Sequence, residues 1–200
     1  MFNYIFCNKY PEINFIFVND INTRKLVKNN KENKIRVQLY DMCGNILTAI
    51  KAIIEKSSLE LTEQLQEGIQ NRANQMGETL ENYIKNAFAD CLGQDIRSIQ
   101  QARNRTFSYI GNNTNPPDAM LKNGDAIEIK KIKTLSTPQL QLNSSYPKNK
   151  LFSDNPKICN ACRTCEVWDE KDMLYVVGQI NGHELQNIFF IYGDLYCGSS

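Results

Sequence analysis

One His and one Trp stand among the 200 residues, and no glycine-rich loop able to cradle phosphates is present. The single His, His183, follows Asn181-Gly182 and is expected in a turn, and no motif supports a catalytic triad built on it. No apolar run approaches the roughly 20 residues a membrane helix needs. The short runs near the N-terminus are broken by Asn8, Lys9, Pro11, Glu12 and Asn14, with no small-residue cleavage site after them, so neither a span nor a secretory signal is expected. Charge of one sign is also missing. Lys and Arg number 23 against 22 Asp and Glu, a net +1, which excludes a histone-like polycation and an acidic tail protein. A nucleic-acid enzyme with a local basic cleft remains open. Seven Cys cannot all pair within one chain, and reduced thiols in the cytoplasm are the expectation. At 23.0 kDa the chain can bury one sizeable core without covalent staples.

The balanced total hides two halves. Between Glu60 and Asp95 stand seven acids against Arg72 and Lys85, whereas between Asp118 and Lys157 seven Lys stand against four acids. Helical periodicity marks residues 45–101, with helices predicted over 46–55, 59–71 and 75–89. Short strands are expected at 14–18 and 35–39. After an Asn- and Pro-rich loop at 112–117, extended runs at 118–121, 126–133, 173–177 and 186–192 follow, the last nearly all apolar and so expected to be central. The fold class this predicts is α/β, a central mixed sheet flanked by helices with a helical N-terminal half.

The sharpest feature is Pro117-Asp118, nine residues, then Glu128-Ile129-Lys130. If Lys122-Asn123-Gly124 forms a three-residue loop with Gly in the left-handed position, Leu121 lies opposite Asp125 and Asp118 opposite Glu128. Strand alternation then adds Lys130 to the polar face and sends Ala119, Leu121, Ile127 and Ile129 to the other. A two-residue loop would scatter this set. Two carboxylates one strand apart repel and are costly to bury unless a cation intervenes. Mg²⁺ suits them, because it accepts a couple of carboxylates, keeps waters and takes a phosphate oxygen. Lys130 can orient or deprotonate the attacking water.

Pro117-Asp118 with Glu128-x-Lys130 resembles the PD-(D/E)XK nuclease signature. The wider strings Asn115-Pro-Pro-Asp-Ala-Met120, Asn123-Gly-Asp-Ala-Ile-Glu-Ile-Lys-Lys131 and Leu142-Asn-Ser-Ser-Tyr-Pro-Lys148 are similar to the NgoPII-type type II restriction endonucleases. The resemblance, over about residues 42–196, implies a restriction-endonuclease-like core and Mg²⁺-dependent cleavage of double-stranded DNA. It also implies a homodimer and a short palindromic site, GGCC being the one it suggests. It divides the chain into an N-terminal extension, 1–41, and a nuclease domain, 42–200. Met42 is then an alternative start, and a C-terminal part is expected to be missing. Many such nucleases carry a further Glu on a preceding helix, and Gly77-Glu78-Thr79-Leu80-Glu81 fits, with Glu81 assisting catalysis and Gly77 allowing close approach of another backbone.

Lys131, Lys133, Lys148, Lys150 and Lys157 are candidates to neutralise phosphates. Asn143, Ser144, Ser145 and Tyr146 offer groove-edge donors and acceptors, and Lys148 can bond guanine O6 and N7. Cys159, Cys162 and Cys165 have metal-like spacing but lack a fourth ligand unless Cys197 or His183 folds back, so ordinary thiols are expected over zinc. Two other readings stand beside the restriction enzyme. One is a repair or recombination nuclease of the same fold, and the other is a non-catalytic DNA- or zinc-binding module.

Overall fold

The computed structural model describes residues 14–17, 44–56, 74–112, 115–132, 147–181 and 184–197. Five helices lie among them: α1 (Ile46–Lys56), α2 (Asn74–Phe88), α3 (Ile96–Thr106), α4 (Asn160–Thr164) and α5 (Gly193–Tyr196). The strands are β1 (Asn14–Phe17), β2 (Phe107–Asn112), β3 (Asn115–Leu121), β4 (Ala126–Ile132), β5 (Lys150–Phe152), β6 (Glu170–Asn181) and β7 (Glu184–Tyr192). They run β1-β7-β6-β4-β3-β2 in one mixed sheet, and β5 pairs with β6 off that path. The β1–β7 and β4–β6 pairs are parallel and the others antiparallel. The architecture is therefore the α/β sheet with flanking helices that the sequence predicts. β1 comes from the stretch set apart as an N-terminal extension.

Both sheet faces are covered, and alternation along the strands decides which residue goes where. Ala119, Leu121, Ile127, Ile129, Leu174, Val176, Ile188 and Phe190 face α1 and α2, meeting Ile50, Ile53, Leu80, Tyr83, Ile84 and Phe88. Met120, Ala126, Met173 and Tyr175 point the other way, onto Leu151, Ile158 and Cys162. Asn45 starts α1 by accepting from the Thr48 amide at 3.0 Å. Each large side chain that α2 buries contributes about 1.5–3 kcal/mol, so packing, more than propensity, holds this helix.

Several boundaries differ from expectation. α3 was not predicted as a separate helix. Asp95 caps it through the amides of Arg97 and Ser98, at 3.0 and 3.1 Å, but its face is weakly apolar and Ile96 is 85% exposed. β2 occupies residues expected to precede the strands, and β3 begins at Asn115, inside the expected loop, because its Pro-rich start still pairs with β2. The apolar β7 lies inside the sheet, one strand from the β1 edge, while β6 and β4 hold the centre. The strand expected at 35–39, the helix expected at 59–71, and His183 lie outside the described residues.

Candidate active site

The register of the β3–β4 hairpin is the one the polar-face argument requires. Ala119 pairs with Ile127 and Met120 with Ala126, and the Leu121 amide donates to the Asp125 carbonyl at 3.0 Å across the three-residue turn. One correction concerns that turn. The left-handed residue is Asn123 (φ 53°), not Gly124. Asn tolerates this region better than most side chains, and the Asn123 amide also donates to Glu166 at 3.2 Å.

At the far end the strands part. Continued pairing would bring the Ile129 amide to the Pro117 carbonyl, but the Asp118 carboxylate takes that amide instead, at 2.6 Å. The Pro117 carbonyl lies over Gly111, where a Cβ would come within 2.4 Å of it. Asp118 is thus drawn in between β3 and β4. Glu128 is 4% exposed, and its Oε1 accepts from Lys130 Nζ at 2.6 Å. Its Oε2 is buried without a hydrogen-bond partner.

Burial first, then the carboxylates of Glu128 and Glu81, push Asp118 up to about 7, against the smaller opposing pull of the Ile129 amide and Lys130. The Glu81 carboxylate on α2 is therefore near enough to raise the Asp118 carboxyl. Its Oε2 meets Lys85 Nζ at 3.2 Å, and Lys85 is buried. α2 reaches the sheet because Gly178 has no side chain: a Cβ there would lie 2.8 and 2.9 Å from the methyls of Leu80, the residue before Glu81. The surroundings of Gly77, expected to give this closeness, are outside the described residues. Lys85 and Gly178 were not anticipated. The i,i+4 spacing of Lys85 from Glu81 was a legible signal, whereas Gly178 carried none.

A hairpin that brings two acids together beside a lysine is what the resemblance leads one to expect, and comparison with known proteins supports the family. A family model described as NgoPII restriction endonuclease matches residues 44–200. The chain belongs to the NgoPII restriction endonuclease family. The type II restriction enzyme NgoPII of Neisseria gonorrhoeae is 44% identical over 131 residues, which cover 65% of this chain and 47% of that protein. The chain thus spans about half the length of this curated relative. No solved structure matches it.

The donor set of this NgoPII-family site fits a hard dication. Asp118 and Glu128 offer oxygen donors, one Glu128 oxygen is a buried atom without a hydrogen-bond partner, and Lys130 and Lys85 pair with Glu128 and Glu81 rather than with Asp118. No group of three His, Cys, Asp or Glu side chains converges as a ligand set among the described residues. A pair still suits Mg²⁺, which is commonly held by one or two carboxylates with waters and substrate phosphate completing the shell.

The expected DNA-contacting residues fare differently. Lys133, Asn143, Ser144, Ser145 and Tyr146 lie outside the described residues, and Lys131 is half-buried on β4. Lys150 faces Glu170 and, at 4.0 Å, Asp172. Lys148 is half-buried and forms no ion pair among the described residues.

The three cysteines do not converge as metal ligands. Cys162 is buried with its thiol on the Met120 sulfur at 3.2 Å, Cys165 donates to the Cys162 carbonyl, and Cys159 meets the Tyr109 hydroxyl at 3.1 Å. Burial pushes the Cys162 thiol up to about 12, while the Tyr109 hydroxyl holds Cys159 below the usual range. Among the described residues no helix is long and apolar enough to cross a membrane.

Proposed function

We propose that this chain is a Mg²⁺-dependent type II restriction endonuclease that hydrolyses double-stranded DNA at a short palindrome, with GGCC as the site. The single observation that carries the reading is the buried, unpartnered Glu128 oxygen beside an Asp118 whose negative charge is poorly compensated, in a chain of the NgoPII family. Asp118 and Glu128 hold the ion, and Glu81 assists from α2. When bound, Mg²⁺ supplies polarisation of the phosphoryl group and stabilisation of the leaving oxygen. Lys130, already hydrogen-bonded to Glu128, positions the attacking water. Attack in line at phosphorus breaks the bond to the 3′ oxygen and leaves 5′-phosphate and 3′-hydroxyl ends.

The working enzyme is a cytoplasmic homodimer whose nuclease domain spans 42–200, since a palindrome matches a two-fold assembly. Lys131, Lys133 and Lys148 face phosphates, and residues 143–146 face the groove edges. Digestion of a plasmid of known sequence with Mg²⁺ tests this. Discrete fragments with ends mapping to one short palindrome are expected. Protein that binds the duplex yet leaves it uncut in Mg²⁺ overturns the proposal, and cutting only at junctions or free ends favours a repair nuclease.

A further inference from the structure

In the parallel β4–β6 ladder Glu128 is level with Tyr175, and Lys130 with Val177. Paired residues of neighbouring strands point to the same face, so the Tyr175 ring rises beside Glu128. The ring is buried at 2% exposure among Met120, Ala126, Leu151 and Met173. A phenol hydroxyl at such a position is costly unless it is bonded, and this one grips a main chain. It accepts from the Lys148 amide at 2.8 Å and donates to the Lys148 carbonyl at 3.4 Å.

The same stretch of chain is held from two other directions. A Cβ on Gly193 would fall 2.1 Å from the Lys148 carbonyl oxygen and 2.7 Å from Asn149 Cα, so only glycine permits α5 to start there. The Asn149 carbonyl accepts from the Met173 amide at 3.0 Å. Lys148 is therefore fixed over the sheet face that carries Glu128. Two residues on, Lys150 is paired with Glu170 and Asp172, whereas Lys148 forms no ion pair among the described residues.

We propose that Tyr175 is a positioning residue for DNA: its hydroxyl clasps the Lys148 main chain, so that the Lys148 ammonium stands at the rim of the carboxylate site as a contact to a backbone phosphate. This rests on the nuclease reading and extends it. The contact is to phosphate, the component of DNA common to every sequence, and it serves to place the strand against Asp118 and Glu128 rather than to read a base.

The test measures duplex binding against salt concentration for the full chain, in an Asp118→Asn background that cannot cut. Tyr175→Phe, Lys148→Ala and the double variant are compared on DNA with and without the cleavage site. Each single change is expected to weaken binding about 3- to 10-fold on both DNAs and to lower the slope of log affinity against log salt by about 0.9, one phosphate contact. The double variant should lose no more than Lys148→Ala alone. A Tyr175→Phe protein with an unchanged slope, or a double variant whose losses add, overturns the clasp. Loss confined to the DNA carrying the site overturns the phosphate assignment. The Asp118-containing parent is run on plasmid with Mg²⁺ alongside: cutting there with an unchanged Tyr175→Phe slope refutes only the clasp. No binding by any variant refutes the nuclease reading and the clasp together.

Discussion

Replacing Asp118 by Asn should make the metal-free protein more stable at neutral pH while destroying its activity. In the unfolded chain this carboxyl titrates at its ordinary 3.8, and in the folded protein at about 7. Between those values the native state keeps a proton that the unfolded chain has released, so stability falls as pH rises through that window. At 1.36 kcal/mol per pH unit the gap is worth about 4 kcal/mol, fully lost above pH 7. Asn carries no charge, yet its amide oxygen can still accept from the Ile129 amide, so the strand parting at this point is kept. Urea unfolding in EDTA, followed by emission of the lone Trp168, measures the difference from pH 5 to pH 8. The variant should exceed the parent by up to about 4 kcal/mol at pH 8, with the advantage shrinking towards pH 5. Mg²⁺ should restore stability to the parent and do little for the variant. Parallel pH profiles, or a variant weaker at pH 8, would refute the claim that Asp118 carries a poorly compensated, desolvated charge.

Lys130→Ala should lower the cleavage rate by about 10²–10⁴-fold while sparing most DNA binding. Because buried Glu128 then loses its counter-ion, unfolding in EDTA should cost about 3–5 kcal/mol less. Single-turnover cleavage and denaturant titration check the two effects, and full-rate cutting would contradict the role of Lys130. Gly178→Ala should destabilise the fold by about 1–3 kcal/mol through the Leu80 clash. It should also slow cleavage more than it weakens binding, since α2 carries Glu81, and a variant as active and stable as the parent would show that α2 has room to move. With iodoacetamide near pH 7.5, Cys159 should be alkylated well before Cys162, given the opposite displacement of their thiols. Peptide mass spectrometry that finds Cys162 modified first would show that its burial is not maintained.

The hairpin was legible because its determinants are local. A turn of fixed length and an alternation of period two suffice to pair Ala119 with Ile127, and thereby to bring Asp118, Glu128 and Lys130 together. α1 and α2 were legible for the same reason, with apolar side chains recurring at helical spacing. α3 was not. Its Asp95 cap is visible in the sequence, but Ile96 and Ile99 are followed by Gln, Arg and Asn, and only Ala102 and Thr106 are buried.

Three features of the site depended on tertiary contacts. Glu81 acts on Asp118 because Leu80 meets a glycine about a hundred residues away. Asp118 lies between strands, and not simply on a face, because the Ile129 amide is left for it. Of the candidate phosphate contacts, Lys150 is neutralised on the neighbouring strand while Lys148 is held through its main chain by Tyr175. By itself, then, the sequence determined the family, the hairpin register and the identity of the paired acids, since these rest on short spacings along one chain. Only the tertiary structure decided which charges remain uncompensated and which side chains stand over them. Desolvation and ion pairing are set by neighbours remote in sequence, and no local periodicity encodes them.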